Sequence, residues 1–298
     1  MSDTEKRTGE VIAEDAAKAA ESKTAPEEVV EITDIPEVDE ENQQDYERLA
    51  IQIRGNEDRL MLAFSKGKRF SPHLYKWQDA SLADMYDHNA FISLGNVGKD
   101  ELDGALEYQK NDGKDFLKII SRTRIKPEYV KELELDESVI YVMALPDIEV
   151  AKSWKRNSGV TVKDIKDEPE IADDLSLVEV EYSKTDEMKD FQKRKAARYA
   201  EVAEKSERFH YCGAYLDGEI AGVCYAFSTN GVLCIDDVVI REKFRCKYTA
   251  TTMMAELTER FGETVYLHAD ASDTPKDMYK RMGFKIVDIV YEYFRRIK

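Results

Sequence analysis

Two dipeptides, Asp217-Gly218 and Asn230-Gly231, constrain the fold of this chain more than any other feature. Each sits between apolar, β-prone runs: Phe209–Leu216, 220–227 and Val232–Ile240. Asp-Gly is a favoured two-residue hairpin turn, and Asn-Gly tolerates the same left-handed backbone. The three runs therefore read as a β-hairpin followed by a second turn into a further strand.

The segments around this core extend the pattern. Residues 175–182 alternate as a strand would. Ser183 or Thr185 can cap a helix carrying Met188, Phe191, Ala196 and Tyr199. After Ile240 comes a basic turn, then a helix with Met253, Met254, Leu257 and Phe261 on one face and Gly262 as its stop. Residues 265–269 read as a strand. Thr274 is an N-cap candidate, Pro275 suits a first helical position, and Met278 and Met282 give an apolar stripe. Gly283, followed by Phe284, is placed as a left-handed stop before a last strand over 286–295. The order expected is β-α-α-β-β-β-α-β-α-β, with one more helix after the first strand than these residues place.

At 298 residues the chain is long for a single core, and two domains are expected. Its net charge of −17 is unevenly spread. Residues 1–45 hold fifteen Asp/Glu, four Lys/Arg and no aromatic residue, which leaves only about −6 for the remainder. So polar a segment cannot bury enough apolar surface to offset its ordering entropy, and it reads as a disordered acidic tail. The acidity argues against nucleic acid as a partner. No apolar run is long enough for a membrane span, and no signal peptide is evident, so a cytoplasmic location is expected. Cys212, Cys224, Cys234 and Cys246 form no CxxC pair, and the four histidines lack ligand spacing, so no metal site is expected.

Residues 46–166 read as a first αβ half. Lys99–Asn111 looks helical with Gly113 as its stop, 116–120 and 139–145 look like strands, and 127–135 suits a short helix. Residues 57–65 suit a short strand or helix. The charged stretch 155–173 reads as a linker or exposed crossover to a second half at 174–298.

The stretch 235–254 carries the chemistry. A strand feeding a helix through a turn of free amides suits a polyphosphate, because amides and helix dipole both favour negative charge there. Arg241, Lys243, Arg245 and Lys247 alternate through the turn, a local reversal of charge. Asp236 and Asp237 precede it, and strand alternation would send their side chains to opposite faces.

The element order, the turn after the fourth strand, and Met278-Tyr-Lys-Arg-Met-Gly-Phe-Lys285 together resemble the GCN5-related N-acetyltransferase (GNAT) superfamily over about residues 174–298. Members show a turn of the form Gln/Arg-x-x-Gly-x-Gly/Ala and a Leu-Tyr-x-x-x-Gly-Phe helix end. Arg245 fits the first turn position and Ala250 the last. Tyr248 stands at the middle glycine, and Cys246 where many members carry another.

The resemblance implies a mixed α/β sheet of the GNAT fold and an acyl-CoA N-acyltransferase using acetyl-CoA as co-substrate. The amides of Cys246, Lys247, Tyr248, Thr249, Ala250 and Thr251, with Arg245, would hold the pyrophosphate. Main chain at Val238, Val239 and Ile240 would pair with the pantetheine arm, and this strand would splay from the next to open the slot. Tyr279 would protonate the departing thiolate. Asp236 or Asp237 would take the proton of the amine acceptor, directly or through water; Cys234 occupies the region where some members place a glutamate. The acceptor amine is left open between small molecule and protein.

Asp84-Met-Tyr-Asp-His-Asn89 looks like a segment of the N-terminal halves of two-part bacterial members. This suggests a degenerate copy of the fold, or a divergent cap, walling the acceptor site. His88 and Asp87 would then face substrate or be structural. Two alternatives to the enzyme are a catalytically impaired GNAT-fold binding or regulatory module, and an adaptor presenting its acidic tail.

Overall fold

A computed structural model describes residues 43–297. The expected disorder of 1–45 lies almost wholly outside the described residues. No described helix is long and apolar enough to cross a membrane.

The first half contributes α1 (Gln43–Phe64), β1 (Lys66–Arg69), β2 (Leu74–Gln78), β3 (Phe91–Ser93), α2 (Lys99–Asn111), β4 (Phe116–Ser121), α3 (Pro127–Glu132) and β5 (Asp136–Leu145). The second contributes β6 (Val160–Asp164), α4 (Ala172–Val180), α5 (Asp186–Lys205), β7 (Phe209–Leu216), β8 (Glu219–Thr229), β9 (Val232–Ile240), α6 (Thr249–Phe261), β10 (Thr264–Asp270), α7 (Pro275–Arg281) and β11 (Lys285–Arg296).

All eleven strands form one mixed sheet in the order β1-β2-β3-β4-β11-β5-β10-β9-β8-β7-β6. Two αβ halves thus share a single sheet, and they interlock. The last strand, β11, lies between β4 and β5 of the first half, while β5 lies between β11 and β10. The β3–β4 and β9–β10 pairs are parallel, the others antiparallel.

One face of the sheet is covered by α1, α4 and α5. Ile53, Phe64, Val178, Tyr199 and Val202 pack there on Phe209, Val223 and Tyr266. On the opposite face Met253, Met254 and Leu257 of α6 meet Leu233, Ile235, Leu267 and Phe284. A third cluster joins Leu102 and Leu106 of α2 to Leu117, Ile119 and Tyr293 at the first-half end. Burying side chains of this size stabilises by about 1.5–3 kcal/mol each, so the sheet's two faces hold the fold.

The hairpin expectations are met. Asp217 and Gly218 (φ 54° and 80°) and Asn230 and Gly231 (φ 61° and 77°) are all left-handed, as two-residue turns of this class require. Gly283 is also left-handed at φ 100°, and a β-carbon there would approach Val150 Cγ1 to 3.0 Å. Thr185 caps α5, accepting from the Met188 amide at 3.2 Å.

Three expectations need correction. Residues 175–182 are not a strand: most of them form α4, because Leu175, Val178 and Glu179 are buried at helical spacing while Leu177 is 47% exposed. The strand position expected there belongs to β6, inside the supposed linker, which pairs with β7 from Val160↔Leu216 to Asp164↔Cys212. With β6 as the first strand and α4 and α5 as the two helices after it, the second half runs β-α-α-β-β-β-α-β-α-β. Thr274 is itself helical (φ −75°, ψ −25°) and makes no side-chain cap. Of the two readings of residues 57–65 the helix holds, with 57–64 continuing the long α1.

Candidate active site

The site begins where two parallel strands part. Pairing of β9 with β10 runs from Val232↔Thr264 only to Cys234↔Tyr266. Beyond it β9 continues on β8 alone, and β10 on β5 alone. Main chain at Val238, Val239 and Ile240 therefore faces an opening where a parallel partner would lie. β9 is also bulged. Its register on β8 shifts between Val223↔Val239 and Tyr225↔Asp236, and Asp237 takes a left-handed φ of 53°.

The turn after β9 runs through a 3-10 segment, Glu242–Phe244, to Tyr248, which precedes α6. Cys246 (φ 60°) and Tyr248 (φ 58°, ψ 20°) are both left-handed. These are the two positions where the resemblance to the GNAT superfamily would place glycine. A non-glycine residue there costs about 1–2 kcal/mol, and here the backbone shape is kept despite it. Tyr248 is 38% exposed.

The Thr252 amide bonds to Tyr248 O at 2.9 Å as the first helical donor of α6. The amides of Thr249, Ala250 and Thr251 come before it and have no acceptor within the helix.

The four cations of the turn divide. Arg241 bonds Glu181 and lies 3.3 Å from Glu219, and Lys243 also bonds Glu219, so this pair is neutralised. Arg245 lies over the Tyr182 ring at 4.9 Å and Lys247 over Phe244 at 5.3 Å. The charge reversal expected of the turn thus rests on Arg245 and Lys247.

Asp236 and Asp237 do not part to opposite faces as alternation implied: the bulge breaks the alternation, and both carboxyls turn to the face covered by α1 and α5, where they meet different partners. Asp237 lies 2.9 Å from Lys195 Nζ and accepts from the Tyr199 hydroxyl at 2.9 Å, both on α5. Lys195 also reaches Glu179 at 3.1 Å. Burial opposes the Asp237 charge, yet Lys195 and Tyr199 hold the carboxyl below its usual range.

Asp236 instead meets His268 of β10, Oδ2 to Nδ1, at 2.9 Å. The other ring nitrogen of His268 lies 3.0 Å from Glu57 of α1. Glu57 accepts from Arg122 at 2.5 Å, and Arg122 donates to Asp288 at 2.7 Å. Burial disfavours a charged His268, but hydrogen bonds to Asp236 and Glu57 outweigh it and push the imidazole up to about 10. His268 is therefore a cation at neutral pH. Glu57, though burial opposes its charge, is held below the usual carboxylate range by His268 and Arg122.

Cys234, Asp236 and His268 bring sulfur, oxygen and nitrogen donors within 4.8 Å of one another. Both imidazole nitrogens already face carboxylates. Burial first, then the Asp236 charge, holds the Cys234 thiol well above its ordinary range. The donor set reads as an ion-paired cluster.

Tyr279 of α7 packs on the opposite face of the sheet, edge-on to Phe284 at 5.8 Å. Burial foremost, with the Asp236 charge behind it, pushes its phenol well above 10. His88 is buried, packs its ring at a tilt on Phe64 with centroids 4.4 Å apart and lies 3.3 Å from Asp79, so it is an internal group; Asp87 pairs with Lys118 at 3.2 Å.

Sequence reasoning did not find Glu57, Arg122 or His268. They come from α1, the segment after β4, and β10, and only the sheet order brings them together.

Residues 173–284 match the model of the acetyltransferase (GNAT) family. No curated protein matches the chain. Among solved structures, a functionally unknown conserved protein from Staphylococcus epidermidis ATCC 12228 is similar with a TM-score of 0.67 at 17% identity, over 78% of this chain and 95% of that one. A GCN5-related N-acetyltransferase from Kribbella flavida gives 0.52 at 12% identity, over 82% and 94%. A GCN5-related N-acetyltransferase-like protein from Streptococcus suis 89/1591 gives 0.51 at 13%, over 85% and 99%. At such identities the likeness is one of fold.

Proposed function

We propose that this chain transfers an acetyl group from acetyl-CoA to a primary amine, a reading supported by the match of residues 173–284 to the model of the acetyltransferase (GNAT) family. One observation carries the reading furthest. Cys246 and Tyr248 hold the left-handed backbone of a coenzyme turn without its glycines, directly before the orphan amides of α6.

In this reading the amides of Cys246 to Thr251 hold the pyrophosphate, and Arg245 and Lys247 add charge. Main chain at Val238, Val239 and Ile240 pairs with the pantetheine arm, and an amide there polarises the thioester carbonyl and stabilises the developing oxyanion. The acceptor enters on the face carrying Asp236, His268 and Glu57. Its nitrogen attacks the thioester carbon, and the carbon–sulfur bond breaks. The thiolate takes the phenolic proton of Tyr279, which burial keeps protonated until then. The surplus proton on nitrogen passes to Asp236 or to water. Asp237, bound to Lys195 and Tyr199, shapes the bulge.

Calorimetric titration with acetyl-CoA tests this. One site in the micromolar range is expected, roughly −8 kcal/mol. No binding at millimolar coenzyme would overturn it and leave a GNAT-fold binding module.

A further inference from the structure

At the N-terminal end of β9, away from the turn before α6, lies a groove of about 510 Å³ between α1 and α5. Its lining is unlike the rest of this acidic chain: Arg59, Arg198, Lys205 and Arg208, and no carboxylate. Arg198 pairs with Asp79 and with Glu201, and Lys205 shares Glu201. Among the described residues, Arg59 donates to neutral oxygens alone, those of Thr229 at 2.7 Å and Asn230. The groove also has apolar walls, including Phe227 and Leu62, the latter 61% exposed. Its occupant should therefore be acidic and apolar at once.

We propose that residues 27–41 of this same chain seat in this groove. The segment reads Glu-Glu-Val-Val-Glu-Ile-Thr-Asp-Ile-Pro-Glu-Val-Asp-Glu-Glu, with eight acidic residues, five Val/Ile and no cation. It ends just before Gln43, where α1 begins. Arg59 lies sixteen residues into α1, or about 24 Å along its axis at 1.5 Å per residue. Eight extended residues, at about 3.3 Å each, cover the same span. A chain turning back along α1 therefore brings Ile35 level with Arg59, and places Ile32 and Val38 to either side for the apolar walls. The acidic residues between them meet Arg59 and Arg208. The charge is local and exposed, so the contact depends on ionic strength.

Zero-length carbodiimide cross-linking of the full chain, read by mass spectrometry, tests the seat, and it does not depend on coenzyme binding. Lys205 should link to carboxylates within 27–41 in preference to other surface lysines. The yield should fall about tenfold in the Arg59→Glu/Arg208→Glu variant, and also in about 1 M salt, where screening shortens to ~3 Å. Unchanged thermal unfolding of the variant confirms that its fold is kept. Should that fold fail, the salt series on the unmodified chain decides alone. Links scattered evenly over the surface lysines, or a Lys205 yield indifferent to salt, would overturn the proposal. So would links found mainly between chains in a mixture of light and ¹⁵N-labelled protein, which would make the occupant a second copy.

Discussion

Asp236 and His268 face each other at 2.9 Å, two residues past the last paired positions of β9 and β10. A side-chain bridge takes over where the main-chain ladder stops. The strands can part to form a slot and still be tied, and the tie reaches through Glu57 into the first half.

This tie makes stability depend on pH with a defined sign. The folded imidazole titrates near 10 against an ordinary 6.5. Its contribution is therefore full below about 6.5 and is lost as pH rises to about 10. Denaturant unfolding of wild type and His268→Gln should show a gap that narrows steadily across that window. A gap constant from pH 6.5 to 10 would contradict the ion-paired histidine.

Tyr279→Phe should lower turnover about 10²-fold and leave acetyl-CoA affinity within a factor of about two. Steady-state kinetics and calorimetry on one preparation separate the two effects. An unaltered rate would remove Tyr279 from the chemistry.

Tyr248→Gly relieves a left-handed side-chain penalty of about 1–2 kcal/mol and adds a backbone-entropy cost of about 0.5–1 kcal/mol. Stability should stay level or rise by up to ~1 kcal/mol, and coenzyme should bind at least as tightly. Thermal melts with and without acetyl-CoA measure both. A large loss of stability would mean that the Tyr248 ring, and not its backbone, holds the turn.

Lys195→Met strips the cation from between Asp237 and Glu179. Burial already raises the Glu179 carboxyl above its usual range, and with Lys195 gone two acidic groups remain packed together. The loss should reach about 3–5 kcal/mol in urea unfolding. The triple change with Asp237→Asn and Glu179→Gln should recover much of it; no recovery would place the cost in packing and not in charge.

The second half expressed alone, as residues 174–298, should aggregate. It lacks β6 and leaves β10 and β11 without β5. Supplying residues 43–173 in the same cell should restore soluble protein, and size-exclusion chromatography distinguishes the outcomes.

What was legible in the sequence was local. Asp217-Gly218 and Asn230-Gly231 state their turns outright, and Thr185 and Gly283 act as they read. The stretch 175–182 misled because its apolar residues fit both a period of two and a helical stripe. Burial of Leu175 and Val178 against the sheet decided for the helix. The left-handed Cys246 and Tyr248 were placed by their position in the motif, not by their own preferences. The Glu57–His268 contact joins residues 211 apart, and no spacing rule reaches that far. The same holds for the place of β11, since alternation says which face a residue takes and nothing about which strand lies beside it.

The interlocked strand order also dictates a schedule. The strand made last among those described, β11, belongs in the middle of the sheet, between β4 and β5. Until residues 285–296 have emerged during synthesis, β4 and β5 must wait with a strand-wide gap between them. Completion of the first half is thus deferred to the end of the second, and neither can mature ahead of the other.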